Sequence, residues 1–298
     1  MDLSSWDSYY SEQWKGRWPA LKQSLLLPNR YVARRNAFCE LGSSLGSVLS
    51  QEPIPKLSIS CYPLEEVSDP PLDTHGLKGF YAMDLASLFP VLALEIESED
   101  RVLDMCAAPG GKALMIVEQS RKPEQIYLNE PSRARRDRLK KVLREYLPAE
   151  IREKLNLKGI DGARIGLKDK EAFNKILIDA PCSGERHLIR DPKVMGKWSP
   201  ARSKNLSQRQ YALLASAWAS LAPGGKMVYS TCSISKMEND QIISRLINKK
   251  KGKLRVVQKQ WAYGEATEHG WQILPDRDEA WGPIYFSILS KEHVVAST

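Results

Sequence analysis

From residue 77 onward the chain repeats one pattern: a short apolar run, a turn, then apolar residues spaced at three and four. The runs "RVLDMCA" (101–107), "QIYLNE" (125–130), "LNLKGID" (155–161) and "FNKILIDAP" (173–181) read as buried strands. "KMVYSTC" (226–232) and "IYFSIL" (284–289) continue the series. Between them, "PGGKALMIVEQS", "SRARRDRLKKVLREYL", "NLSQRQYALLASAWASL" and "ENDQIISRLINKK" carry helical periodicity. "YAMDLASLFPVLALEI" (81–96) is predicted as a helix interrupted at Pro90. Strands that alternate with helices in this way imply a parallel sheet covered on both faces. The expected fold is a doubly wound, Rossmann-like α/β sheet, mostly parallel, with a late antiparallel strand.

The first 75 residues differ. "WPALKQSLL" and "RYVARRNAFCELGSSLGSVL" both space apolar residues at three and four, which predicts a mainly helical segment. Residues 50–76 are rich in proline and turn formers, as in a linker with room for one short strand. The expected organisation is a helical extension and linker over 1–75 and an α/β domain over 76–298. There are no internal repeats.

Charge sharpens this division. Residues 1–75 hold 7 Lys/Arg against 9 Asp/Glu, so the rest of a chain of net charge +8 carries +10. A basic excess on the larger part suits a polyanionic partner, although solubility alone would also account for it. Five scattered cysteines, an odd number with no CxxC, argue against a disulfide framework or a zinc site. Free thiols fit a reducing compartment. No apolar run approaches the ~18 residues of a membrane span, and the acidic, aromatic "MDLSSWDSYY" is unlike a signal peptide. A cytoplasmic location is expected.

Ligands of such sheets sit at the carboxyl ends of the strands. The first strand-to-helix loop is "CAAPGGK" (106–112), where Gly110 and Gly111 let the backbone approach a ligand closely. Acids close the next three strands: Glu130, Asp161 and Asp179. A carboxylate after the second strand is the usual acceptor for ribose hydroxyls. The chain has neither GxxxxGK[ST] nor a clean GxGxxG. An adenosine ligand without pyrophosphate, such as S-adenosylmethionine (SAM), therefore fits better than ATP or NAD.

Two strands also end in cysteines: Cys182 in "DAPCSG" and Cys232 in "YSTCS". Small residues suit tight turns, and either cysteine alone would read as structural. Together with an acid they supply the parts for chemistry on a pyrimidine. A thiolate that adds to cytosine carbon 6 makes carbon 5 nucleophilic towards a methyl donor, and a nearby acid can hold the base.

"DMCAAPGGK", "LIDAPCSGERH" and "VYSTCSISKMEND" resemble three signature motifs of the Nop/Sun family of RNA cytosine-C5 methyltransferases, over roughly residues 76–298. "SWDSYYSEQWKGRWPALKQSLL", "YAMDLASLFPVLAL" and "ILPDRDEAWGPIYF" are similar to its mitochondrial ribosomal-RNA branch. The resemblance implies Cys232 as the attacking nucleophile and Cys182 as the group assisting product release, with Asp179 and Lys112 at the substrate. It implies SAM against Cys106, Ala107, Ala108, Pro109, Gly110, Gly111, Lys112, Glu130, Arg135, Asp161 and Asp179. The third-strand motif reads "DGARIG" where relatives often carry Arg directly after Asp-Gly, so Asp161 and not Arg164 is taken. Cys39, Cys61 and Cys106 are read as structural thiols, Cys106 within the cofactor loop.

"ERHLIRDPKVMGKWSPARSKNLSQR" (185–209) mixes seven Lys/Arg with His187 and Trp198, a composition suited to a splayed single strand. Arg186, His187, Arg190, Lys193 and Trp198 are the expected RNA contacts. Trp6, Trp14 and Trp18 are read as packing the N-terminal segment onto the core. The expected activity is 5-methylcytosine formation in small-subunit ribosomal RNA, with a protein or ribosomal particle as a possible partner. Transfer RNA as target, a catalytically silent ribosome-assembly factor and a DNA cytosine methyltransferase are the alternatives.

Overall fold

The computed structural model describes residues 3–41, 45, 49, 51–55, 57–196, 198–250, 252–277 and 280–292. The expected helix over 30–49 lies partly outside them, at 42–44 and 46–48.

Among the described residues nine strands form one sheet. Its parallel part comprises β4 (Val102–Asp104), β5 (Ile126–Asn129), β6 (Asn156–Lys158), β7 (Phe173–Asp179) and β8 (Leu221–Thr231). The spatial order is β6-β5-β4-β7-β8, so the order reverses between β4 and β7. Antiparallel strands continue from β8: β12 (Ile284–Lys291), then β11 (Trp271–Ile273) and β10 (Glu265–Ala266), with β9 (Leu254–Val257) on the other part of β12. The parallel strands and the antiparallel β12 stand where the sequence pattern puts them. β9 to β11 are additional: they are short and half-polar, β9 and β11 pair with β12, and β10 pairs with β11.

The two-residue period of the strands sorts side chains to two cores. Leu177 of β7 and Val228 of β8 join Leu114, Ile116 and Leu128 on one face. Ile176, Ile178, Met227 and Tyr229 join Leu213, Ala217 and Trp218 on the other. Helix Gly111–Gln119 and helix Arg133–Tyr146 cover the first face, and helix Pro200–Ser220 with helix Asp240–Lys249 the second.

The N-terminal part departs from the helical expectation. Helix α1 (Leu3–Trp14) and helix α2 (Trp18–Leu26) form, but β1 (Tyr31–Arg35) is a strand between β2 (Cys61–Leu64) and β3 (Phe80–Met83). Arg34 explains the misreading. Counted as polar, it lets "RYVARR" pass for a helical face, yet it is fully buried and ion-paired to Glu118. A partner 84 positions away leaves no trace in local periodicity. β3 likewise replaces the start of the helix expected at 81, because "FYAM" pairs with β1. The pairing crosses the expected boundary at 75/76, so both parts of the chain share a sheet.

Trp6, Tyr10, Trp18, Leu21 and Leu25 pack against Leu188, Met195, Trp198, Ile234 and Leu274. Trp14 is half-buried and donates to Ile234 O at 3.2 Å. The tryptophans of the N-terminal segment thus serve packing, as expected.

Candidate active site

The strand order reverses between β4 and β7, and the two loops that leave these strands build a cleft there, where ligands of such sheets bind. The loop after β4 turns through Gly110 at φ +128°; a Cβ there would stand 2.8 Å from Val142, so no other residue fits without a shift. A cavity of about 210 Å³ is lined by this loop, Tyr81, Met83, Asp104 and Asp179. It adjoins a second cavity of about 500 Å³ lined by Lys112, Asp179, Cys182, His187, Cys232 and Pro283. Lys112 and Asp179 belong to both walls. A group held in the smaller cavity would therefore face the thiols in the larger one.

Asp179 ends β7 and is fixed at both oxygens. Lys112 Nζ lies 2.8 Å from one, and Ser230 Oγ donates to the other at 2.9 Å. Ser230 is its register partner on β8. Burial alone would push Lys112 down, but Asp179 and then Cys232 hold its pKa above the ordinary lysine value. It is thus a half-buried cation held against a carboxylate.

Cys182 and Cys232 meet, Sγ to Sγ 2.9 Å, although 50 positions separate them. Gly184, left-handed at φ +63°, turns the chain directly after Cys182. The contact with Cys232, then burial, pushes the Cys182 thiol well up, so it stays protonated. Cys232 is the exposed one of the pair. A protonated thiol beside an exposed one gives the two cysteines different chemistry.

Asp104 closes β4 and is almost fully buried at the floor of the smaller cavity. Burial first, then the charge of Asp179, raises its pKa to about 7. Sequence reasoning missed it, although "RVLDMCA" places this acid in line with the other strand-end acids. Its ordinary value is 3.8, so the folded protein holds a proton between there and about pH 7 that the unfolded chain releases. The stability linked to that proton is complete at low pH and disappears as pH rises through 7. Asp104→Asn should flatten the fall in melting temperature between about pH 4 and pH 7, measured without ligand by thermal denaturation. An unchanged slope would remove Asp104 as its source.

Glu130, after β5, is buried; Oε1 accepts from Ser132 N at 2.9 Å. Its Oε2 is shielded and, among the described residues, accepts no hydrogen bond, 3.3 Å from the Arg135 guanidinium. A buried carboxylate oxygen with spare accepting capacity beside the glycine loop fits the ribose hydroxyls of an adenosine ligand. Arg135 also donates to Ala108 O at 2.8 Å, which ties it to the same loop. Asp161 is held differently: both oxygens face Arg209, and its side chain is 41% exposed. That bond, above all, lowers its pKa. Cys106 is pushed far up by burial, as befits an inert thiol.

The expected RNA contacts divide. His187 is exposed at the larger cavity, Arg190 lines it half-buried, and Lys193 is exposed. Trp198 is 2% exposed and packed against Tyr9 and Tyr10, so its ring cannot stack on a base. Arg186 is also buried: it donates to Gly282 O and, at 3.1 Å, to Pro28 O. It braces the wall of the cavity and is not free for phosphate. Composition suggested both, and burial overturns both.

A doubly wound sheet with this loop, strand-end acids and two facing thiols is the architecture of a SAM-dependent methyltransferase. The profile of the 16S rRNA methyltransferase RsmB/F family matches residues 91–289, and the chain belongs to that family. It is 33% identical over 321 residues to the zebrafish (Danio rerio) mitochondrial tRNA (cytosine(34)-C(5))-methyltransferase, covering 97% of this chain and 87% of the relative. It is 30% identical to mouse (Mus musculus) 5-cytosine rRNA methyltransferase NSUN4, covering 97% and 88%. The crystal structure of NSun6 from Pyrococcus horikoshii with SFG superposes with a TM-score of 0.75 at 20% identity, covering 96% and 97%, a likeness of fold. The protein is an enzyme, and SAM is its cofactor.

Proposed function

We propose that this chain methylates carbon 5 of cytosine in RNA, with small-subunit ribosomal RNA as the target. The observation that carries the reading is the pair of unlike thiols, 2.9 Å apart, in the larger of two adjoining cavities. Cys232 adds its sulfur to carbon 6. Lys112 offsets the negative charge that the ring then gains, and Asp179 accepts from the exocyclic amine. SAM supplies the methyl group that carbon 5 takes. A base then takes the proton on carbon 5, the electrons of that bond restore the ring double bond, and the bond from sulfur to carbon 6 breaks with its pair leaving on sulfur. Cys182, protonated beside the departing sulfur, assists that last step.

Loss of Glu130 should matter more to SAM than loss of Asp161. Glu130→Ala should weaken binding by roughly 1–3 kcal/mol in calorimetric titration, the range for a buried bond to a charged acceptor. Asp161→Ala should weaken it less, because that carboxylate is exposed and already paired. The reverse ranking would remove Glu130 as the ribose acceptor.

Transfer RNA is the second reading, supported by the name of the zebrafish relative. Transfer of tritium from labelled SAM, followed by bisulfite sequencing of ribosomal and transfer RNA, separates the two. Methylation confined to transfer RNA would favour the second, and incorporation into neither would overturn both.

A further inference from the structure

Beneath the thiols lies a buried polar network that the chemistry above does not use. The residue after each cysteine is a serine, and their hydroxyl oxygens stand 2.9 Å apart. Both meet Glu185 Oε1, Ser233 at 3.0 Å and Ser183 closer still. Tyr10 Oη, from α1, donates to the same oxygen at 2.6 Å, and Ile234 N donates to Glu185 Oε2 at 3.1 Å. A second carboxyl holds the other side: Glu238 Oε2 accepts from Ser183 N at 3.0 Å and Gln210 Nε2 at 2.8 Å. Gln210 also donates to Pro181 O, directly before Cys182. Glu185, Glu238, Gln210 and Tyr10 have no exposed surface.

A buried carboxylate is tolerated only where donors surround it, so these partners are fixed in place. Two loops from different strands, bonded to one buried group, cannot separate without breaking several such bonds. We propose that Glu185 and Glu238 are positioning residues that hold Cys182 and Cys232 face to face, and that Tyr10 makes helix α1 a working part of the active site. The proposal rests on the methyltransferase reading only for its effect on turnover; the spacing of the thiols can be tested without RNA.

The two acids should differ. Glu185 accepts through both oxygens, so Glu185→Gln leaves one accepting oxygen, and either the hydroxyl cluster or Ile234 N loses its acceptor. Among the described residues Glu238 accepts through Oε2 alone, and its buried Oε1 has no partner. Burial, then Glu185, raises Glu238 to about 7, so it is largely neutral below that pH. Glu238→Gln keeps the acceptor and should behave as wild type, whereas Glu238→Ala removes it.

Phenylarsine oxide is the probe for spacing: its arsenic binds two thiols at once and releases water, so it requires the sulfurs close together. Wild type should take up one arsenical per chain, and Cys232→Ala should lose that uptake. Glu185→Gln and Glu238→Ala should capture it at least about tenfold more slowly. Each should also lose about 10²-fold in kcat with little change in KM for SAM, the scale for a displacement of about 1 Å. Tyr10→Phe, a smaller change that guards against a failure to fold, should move both readouts in the same direction. Folded variants with wild-type arsenical capture would overturn the clamp, whether or not the protein methylates RNA. Normal capture by wild type with no methylation of any RNA would instead overturn the functional reading and leave the clamp standing. A melting temperature lowered with unchanged capture and kcat would make the network merely structural and also sink the proposal.

Discussion

Replacing Cys232 by alanine should abolish methyl transfer, whereas replacing Cys182 should leave RNA trapped on the protein. Cys232 is the exposed sulfur, and without it nothing adds to carbon 6. The loss should be at least about 10⁴-fold, the scale seen when a covalent nucleophile is removed. Cys182→Ala can still attack and transfer methyl, but it lacks the protonated thiol beside the departing sulfur. A protein–RNA species that survives denaturing electrophoresis should accumulate. The double variant should resemble Cys232→Ala, since release has no meaning without attack. An adduct that persists in Cys232→Ala and vanishes in Cys182→Ala would reverse the two roles. If both thiols only packed the turns, each change would cost a few kcal/mol of stability at most and trap nothing.

Charge reversal at Arg186 should unfold the wall of the cavity more than it weakens any RNA contact. The guanidinium donates to Gly282 O and Pro28 O and lies 3.9 Å from Asp84 Oδ2. Arg186→Glu would leave these carbonyls without a donor and set a second carboxylate beside Asp84. The expected loss is about 3–5 kcal/mol, that of breaking a buried ionic contact from one side. Denaturant titration without RNA measures it. Lys193→Glu, at an exposed position, should stay within about 0.5 kcal/mol of wild type. Equal stability of both variants would return Arg186 to the list of RNA contacts.

These outcomes show where sequence reasoning held and where it failed. The strands and the acids at their ends were legible because buried parallel strands leave near-continuous apolar runs, and the acid that follows marks the carboxyl edge. The approach of Cys182 to Cys232 was foreseeable too, because adjacent parallel strands carry both loops to one place. Arg34, Arg186 and Trp198 were misread for one reason. Each is buried against a segment distant in the chain, and composition counts a buried arginine or tryptophan as if it faced water. Asp161 shows a subtler gap: its place at a strand end was visible, but the pairing with Arg209, 48 positions on, was not. The serines after each cysteine stood in the quoted motifs, yet nothing local shows that their hydroxyls meet.

The aromatic helix α1 has a consequence for the order of events in synthesis. Tyr10 leaves the ribosome 175 residues before Glu185, and Arg17 leaves 259 before Asp276, its ion-pair partner. During that interval Trp6, Tyr10 and Trp18 have no finished surface to cover, and long-range contacts of this kind close slowly. These rings therefore lack the surface that buries them until most of the sheet exists. Until α1 docks, Glu185, the common anchor of the two thiol loops, lacks its Tyr10 donor, which ties the finished site to completion of the fold.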